Sequence, residues 1–202
     1  MDASFFTQFG LYVKPAALDA AECRQLASDA RAAHAKPATI RDQGVQLVDD
    51  SYRRTRIAEV SPESVDRITE LMTALKPSIE THFGVAAKSF RRPEFLVYRS
   101  GDFFAPHADS VTSGDHEDAV VTGRLISAVL FLNGESETAD DSSYGGGTLD
   151  FYGLFDDERA KNRAFPLTGE EGLLVAFRPE LVHGVSPVTH GERCTVVTWF
   201  EP

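Results

Sequence analysis

The sequence predicts an α+β fold that is mainly β, with N-terminal helices packed on one sheet. Three observations carry this. The first half of the chain holds two stretches with apolar residues at helical spacing. The second half breaks into short apolar runs separated by turn-rich loops, the pattern of a β-sandwich or barrel. Helices that come first and cover one face of such a sheet give the α+β layout. At 202 residues the chain suits one domain with a real core, and neither an internal repeat nor a Pro/Ser linker divides it.

The elements follow in order. Residues 18–35 are Ala-rich, with Leu18, Cys23, Leu26 and Ala30 at roughly helical spacing. The run VQLVDDSYRRTRIAEV reads as two short strands around a turn at Asp49-Asp50. A second helix starts at Ser61 and runs to about His82, with Pro62 in its first position. Val65, Ile68, Leu71, Met72, Leu75 and Ile79 form its apolar stripe. Strands are expected at residues 95–99, 125–132, 148–152, 172–177, 181–186 and 194–200. Gly145-Gly146-Gly147 reads as a flexible turn into the next strand; no GK[ST] follows it, so a phosphate cradle is not expected. Trp199 and Phe200 read as core residues, and Cys194 as a packing residue facing away from Arg193.

Composition narrows the function. Hydrophobic residues make up 42% and charged residues 25%, ordinary values for a globular protein. A net charge of −11 argues against a nucleic-acid partner, which needs a basic surface. Cys23 and Cys194 form no disulfide framework, which suits a reducing compartment. MDASFFTQFG lacks the charged and apolar regions of a secretory signal, and LISAVLFL is too short to span a bilayer. No membrane partner and a cytoplasmic location are the expectation.

The chemistry concentrates in two runs, FLVYRSGDFFAPHADS and GLLVAFRPELVHGVSPVTHGERCTVVTWF. His107 and Asp109 are two residues apart, so on an extended backbone both point to one face. His183 sits in the apolar run PELVHGVSPV, which suits a strand lining a barrel. Two histidines and one carboxylate on one face of a metal form the 2-His-1-carboxylate set of non-haem Fe(II) oxygenases. Arg193 follows His183 by ten residues and offers a cation for an anionic co-substrate. A His-x-Asp pair is weak evidence alone, and His116 with Asp118 makes a second one in the polar segment SGDHEDA, with no apolar strand feeding it. His190, in VTHGER, reads as a turn residue, while His34 and His82 fall on the helices.

At these residues the chain resembles the Fe(II)/2-oxoglutarate-dependent dioxygenases, specifically the prolyl 4-hydroxylase-like branch. The resemblance runs through Tyr98, Gly101, Phe104, His107 and Asp109 in YRSGDFFAPHAD, then RLISAVLFLN, GGGTLDFYG and FRPELVHGVSPVTHGER, in that order. It implies a double-stranded β-helix, or jelly roll, as the catalytic core over residues 95–202. Residues 1–94 would be helical and strand support within the same domain, 1–202. It also implies a metal held by His107, Asp109 and His183, and a 2-oxoglutarate carboxylate held by Arg193. Thr195, two residues on and so on the same strand face, and Tyr98 would assist. Prolyl 4-hydroxylases usually place Lys where Arg193 stands; Arg fills that role in many relatives, so peptidyl proline becomes a less secure substrate than the co-substrate is.

The implied cofactors are Fe(II), 2-oxoglutarate and O2, with ascorbate as a candidate reductant. The implied reaction is hydroxylation of a C–H bond in a small molecule, an amino acid or a peptidyl residue, with succinate and CO2 as co-products. Asp109 stands where related halogenases carry a small residue, which favours hydroxylation. Two other classes remain open: a jelly-roll isomerase or hydrolase with another divalent metal, and a binding or sensor module without turnover. Finally, residues 110–123 and 134–144 form two acidic loops, with Asp115, Glu117 and Asp118 on one and Glu135, Glu137, Asp140 and Asp141 on the other. Such a rim would attract a cationic substrate.

Overall fold

The structure, a computed structural model, describes residues 3–42, 45–110, 123–138, 140, 142–155 and 162–202. His116, Asp118 and the acidic side chains of Asp115, Glu117 and Asp141 lie outside these residues. The elements in chain order are α1 (Ala3–Thr7), β1 (Tyr12–Lys14), α2 (Ala20–Ala32), β2 (Ala35–Pro37), β3 (Ile40–Asp42), β4 (Val45–Leu47), β5 (Arg53–Arg54), β6 (Arg56–Ala58), α3 (Pro62–Phe83), β7 (Ser89–Phe90), β8 (Glu94–Tyr98), β9 (Phe103–His107), β10 (Ile126–Phe131), β11 (Tyr144–Gly146), β12 (Leu149–Phe151), β13 (Phe165–Leu167), β14 (Leu174–Phe177), β15 (His183–Val185), β16 (Val188–Gly191) and β17 (Arg193–Glu201).

Helix ends are set by local chemistry. Asp19 caps α2, its carboxylate accepting from the backbone N–H groups of Ala21 and Glu22. Ser61 caps α3, Pro62 takes its first turn, and Gly84 closes it at φ 63°, a left-handed conformation suited to glycine. The expected stripe is real: Val65, Ile68, Leu71, Met72 and Ile79 are buried. The first helix ends earlier than expected, at Ala32. His34 therefore lies beyond it, exposed and paired with Glu59 at 3.2 Å.

Two antiparallel sheets face each other. The larger runs β1-β14-β10-β17-β8-β6-β2, with β7 also on β17; the smaller runs β13-β12-β15-β9-β5. Side chains alternate across the larger sheet as the pleat requires. Ile126, Ala128, Leu130, Leu174, Ala176, Cys194 and Val196 join α2 and α3 in one core layer. Val129, Phe131, Val175 and Phe177 turn the other way and meet Leu149, Phe151 and Leu167 of the smaller sheet. Helices thus cover the outer face of the larger sheet, and the space between the sheets is a double-stranded β-helix core. The first 94 residues also supply β1, β2, β6 and β7 to the larger sheet and β5 to the smaller one.

Three local expectations are corrected. The run around Asp49-Asp50 does turn there, Asp49 accepting from Ser51, but it holds three short strands whose partners are β3, β9 and β8. Gly145 and Gly146 are not a flexible turn: they belong to β11, which pairs with β16. A Cβ on Gly145 would lie 2.0 Å from the His190 ring, and one on Gly146 would lie 2.4 Å from the Pro187 carbonyl. Close approach, not mobility, requires glycine here. His190, read as a turn residue, is consequently a strand residue packed on that glycine. No helix among the described residues is long and apolar enough to cross a membrane.

Candidate active site

Strands β9 and β15 are direct neighbours, and their register sets His183 opposite His107. The two imidazole rings lie 4.4 Å apart, centre to centre. Asp109 follows β9 and is tied down by its N–H, which donates to the Pro179 carbonyl at 2.8 Å. His107 Nε2 lies 3.8 Å from one Asp109 oxygen and His183 Nε2 lies 3.8 Å from the other. The ligand atoms of the three residues fall within 4.8 Å of one another, a spacing one metal ion can bridge.

The tautomers follow from the backbone. His107 Nδ1 lies 2.9 Å from the Ala105 carbonyl, and His183 Nδ1 lies 2.9 Å from the Leu181 carbonyl. A carbonyl can only accept, so each Nδ1 carries the proton and each Nε2 turns a lone pair to the centre. Metal-binding histidines are commonly oriented in this way. Phe104 stacks on the His107 ring at 3.6 Å, and Phe177 packs edge-on against His183 at 4.6 Å.

Burial keeps both rings neutral. Desolvation, and then the charge His183 would carry, push the His107 pKa down to about 3. Burial also lowers that of His183. For Asp109, burial alone would favour the acid; the attraction of either imidazole in its protonated form, together with the bonds from Ser127 and Trp199, outweighs it and holds the carboxyl below its usual range. Below a pH of about 6.5, and down toward about 3, the unfolded chain binds more protons at His107 than the folded one. Stability is thus full above the unfolded pKa and falls as pH drops, and Asp109 acts in the same direction. The Tm of the metal-free protein should fall steadily from about pH 7 to about pH 4.5. His107→Asn should remove a large part of that slope. A wild-type Tm that stays flat over the range would contradict a neutral, buried pair.

The Asp109 carboxylate is held from three sides. Ser127 Oγ donates to it at 2.6 Å, Trp199 Nε1 at 2.8 Å and Arg124 Nη1 at 3.2 Å. Ser127 and Trp199 are register partners on β10 and β17, which is why they converge on one carboxylate. Trp199 is therefore not the plain core residue expected, whereas Phe200 is fully buried. Strand parity contained this signal: Arg193, Thr195, Val197 and Trp199 share the inner face of β17.

At the start of the same strand, Arg193 is only 1% exposed. Its Nη1 donates to Thr195 Oγ1 at 3.2 Å. Its guanidinium carbon lies 5.1 Å from the centre of the Tyr98 ring, its register partner, and 5.0 Å from that of Phe131. Its Nε is buried without a partner, and among the described residues no carboxylate pairs with it. A buried, unpaired guanidinium is costly unless an anion meets it. Tyr144 lies beside it: a Cβ on Gly147 would sit 3.0 Å from Arg193 Cδ and 3.4 Å from Tyr144 Cε2. The Tyr144 hydroxyl is buried with no partner, and burial pushes its pKa up to about 12 despite the nearby Arg193 charge. Glu135, expected on a solvent rim, is half buried. It accepts weakly from Thr148 at 3.4 Å, and burial raises its pKa against the pull of Arg193. Glu137 and Asp140 of that loop are exposed.

Residues 93–201 match the 2OG-Fe(II) oxygenase superfamily, more than half of the chain. The chain belongs to that superfamily. Among its relatives is a PKHD-type hydroxylase of Maricaulis maris (strain MCS10), 31% identical over 145 residues, which cover 68% of this chain and 56% of that one. The chain spans about half the length of the curated relatives it matches. A prolyl-4-hydroxylase of Pseudomonas putida superposes with a TM-score of 0.71 at 25% identity, over 98% of this chain and 96% of that one. A prolyl hydroxylase of Trichoplax adhaerens, solved with a hypoxia inducible factor peptide fragment, gives a TM-score of 0.70 at 15% identity, over 100% and 87% of the two chains. The superfamily takes its name from Fe(II) and 2-oxoglutarate, and the donors here fit both. Two neutral imidazole nitrogens and a carboxylate suit non-haem iron. The orphaned Arg193 Nε and Tyr144 hydroxyl suit a buried carboxylate.

Proposed function

We propose that this chain is an Fe(II)- and 2-oxoglutarate-dependent oxygenase. It hydroxylates an unactivated C–H bond of a peptidyl residue, amino acid or small molecule, with succinate and CO2 as co-products. One observation carries the reading: between the same two sheets lie a 2-His-1-carboxylate set and a buried guanidinium with no carboxylate partner among the described residues.

His107, Asp109 and His183 would hold the iron through Nε2, a carboxylate oxygen and Nε2. When bound, Fe(II) supplies the activation of O2 that is coupled to decarboxylation of 2-oxoglutarate. Arg193 would grip the far carboxylate with parallel N–H donors, a geometry for which guanidinium is suited and ammonium is not. Thr195 supports the guanidinium, Tyr98 forms the wall against it, and Tyr144 adds a hydroxyl that sequence reading did not anticipate. Ser127, Trp199 and Arg124 orient Asp109. The aromatic packing of Phe104 and Phe177 keeps water from the two imidazoles. A jelly-roll isomerase or hydrolase would leave Arg193 without a task.

The names of the Pseudomonas putida prolyl-4-hydroxylase and of the Trichoplax adhaerens prolyl hydroxylase solved with a peptide fragment support peptidyl prolyl residues as first substrates to test. We also propose that residues 1–202 act as one catalytic domain, because strands from the first 94 residues are built into both sheets. Two unpaired, buried cysteines suit a reducing, cytoplasmic setting. The test is turnover: with Fe(II) in air, the protein should convert 2-oxoglutarate to succinate, with the true substrate gaining the mass of one oxygen atom. Ascorbate should sustain the rate. Absence of succinate across amino acids, peptides and small metabolites would contradict the proposal.

A further inference from the structure

Two guanidinium groups flank the metal-binding set, one from β5 of the smaller sheet and one from the segment that leads into β10. Arg53 of β5 is the register partner of Phe104 on β9. Its guanidinium carbon lies 4.6 Å from the centre of the Phe104 ring, the same ring that stacks on His107 at 3.6 Å. On the other side, Arg124 lies 4.0 Å over the Trp199 ring, whose Nε1 donates to Asp109. Guanidinium stacked on an aromatic face is held in plane with its donor edge free to meet a ligand.

Neither group is used up by the protein. Arg53 Nη1 donates to the Thr39 carbonyl at 3.0 Å, its Nε is buried and unpartnered, and no carboxylate among the described residues pairs with it. Arg124 donates to the Asp109 carbonyl and carboxylate, and its Nε is likewise buried and unpartnered. Arg91 and Glu201 near Arg124 cancel each other as an ion pair at 2.6 Å, which leaves Glu94 to offset part of its charge. Asp109 and one carboxylate of 2-oxoglutarate would neutralise a divalent ion, and Arg193 would neutralise the other carboxylate. The Arg53 charge is then left without a counter-charge at this end of the site. In a chain of net charge −11, such local basicity is not a reflection of composition.

We propose that Arg53 and Arg124 form an anion-binding subsite, so that the substrate carries a carboxylate or phosphate near the C–H bond that is hydroxylated. This rests on the oxygenase reading of the triad. It reverses the expectation of a cationic substrate drawn from the acidic loops, one of which lies outside the described residues at positions 111–122.

Trp199 is the only tryptophan, so its emission reports on Arg124 directly. The protein is loaded with Zn(II), which has no redox chemistry, and saturated with 2-oxoglutarate. It is then titrated at constant ionic strength with inorganic phosphate, with N-acetyl-aspartate amide and with N-acetyl-lysine amide. Phosphate, the aspartate derivative or both should shift the emission saturably, and which of them does so identifies the anion. The lysine derivative should not. Arg53→Gln, which leaves Asp109 untouched, should weaken the anion's apparent Kd by about tenfold or more. Arg124→Gln should do the same if the first variant does not fold. No saturable response to either anion, or equal affinity in wild type and both variants, would overturn the proposal. Wild-type binding of 2-oxoglutarate is read in the same experiment. If it is present while anions do not bind, this proposal fails and the oxygenase reading stands. If it is absent while Arg53-dependent anion binding persists, the subsite stands and the oxygenase reading fails.

Discussion

Asp109→Ala should abolish turnover, with kcat/KM falling by more than about 1,000-fold; loss of a group one step out from a metal typically costs only about 10- to 100-fold. The reason is the position of this carboxylate. It is the one anionic donor of the set, and it is also the acceptor for Ser127, Trp199 and Arg124. Its removal would delete a proposed metal ligand and free the three groups that converge on it. Asp109→Asn keeps the shape and one acceptor oxygen, and should still lose Fe(II) affinity because the ligand charge is gone. His107→Ala and His183→Ala should behave like Asp109→Ala in a metal-content measurement. His116→Ala and His190→Ala should retain the metal. Full metal content in His107→Ala, together with loss in His116→Ala, would transfer the assignment to the second His-x-Asp pair.

Arg193→Ala should raise the KM for 2-oxoglutarate by about 100-fold or more, because a charge-assisted, bidentate contact in a buried setting is lost. The effect on kcat should be smaller, since under this proposal Arg193 would grip the end of the co-substrate that does not react. Arg193→Lys keeps the charge as a single point and should be impaired less than the alanine variant. The variant leaves the Tyr144 hydroxyl and Thr195 in place, so residual binding is expected at high co-substrate concentration. An unchanged KM in Arg193→Ala, measured at fixed Fe(II), would remove 2-oxoglutarate from this end of the site.

Much of this site could be read from the sequence because it lies on regular strands. His107 and Asp109 obey the two-residue period, and Arg193 with Thr195 obeys it again on β17. The same parity reaches Trp199, four residues beyond Thr195, yet an aromatic near a chain end resembles core until its register partner Ser127 is known. Tyr144 was not legible, because its place beside Arg193 depends on glycines that let β11 approach β16. His190 reads as a turn residue for the same reason: THGER carries turn residues, whereas its strand character comes from a long-range partner. Arg53 depends on a two-residue strand at a sheet edge, a pairing with no periodicity to detect. The two long helices and the strands buried on both faces were clear, since capping residues and apolar runs are local signals. The very short strands were not, since only tertiary contacts create them.

The central claim is that the triad and Arg193 serve one ligand pair, metal and dicarboxylate, in one site. Calorimetric titration of 2-oxoglutarate into the protein under anaerobic conditions, with and without Fe(II), tests it most directly. Binding should be tight only when the metal is present, and both His183→Ala and Arg193→Ala should weaken it sharply. Binding of equal strength without metal, or unaltered by either substitution, would contradict the account.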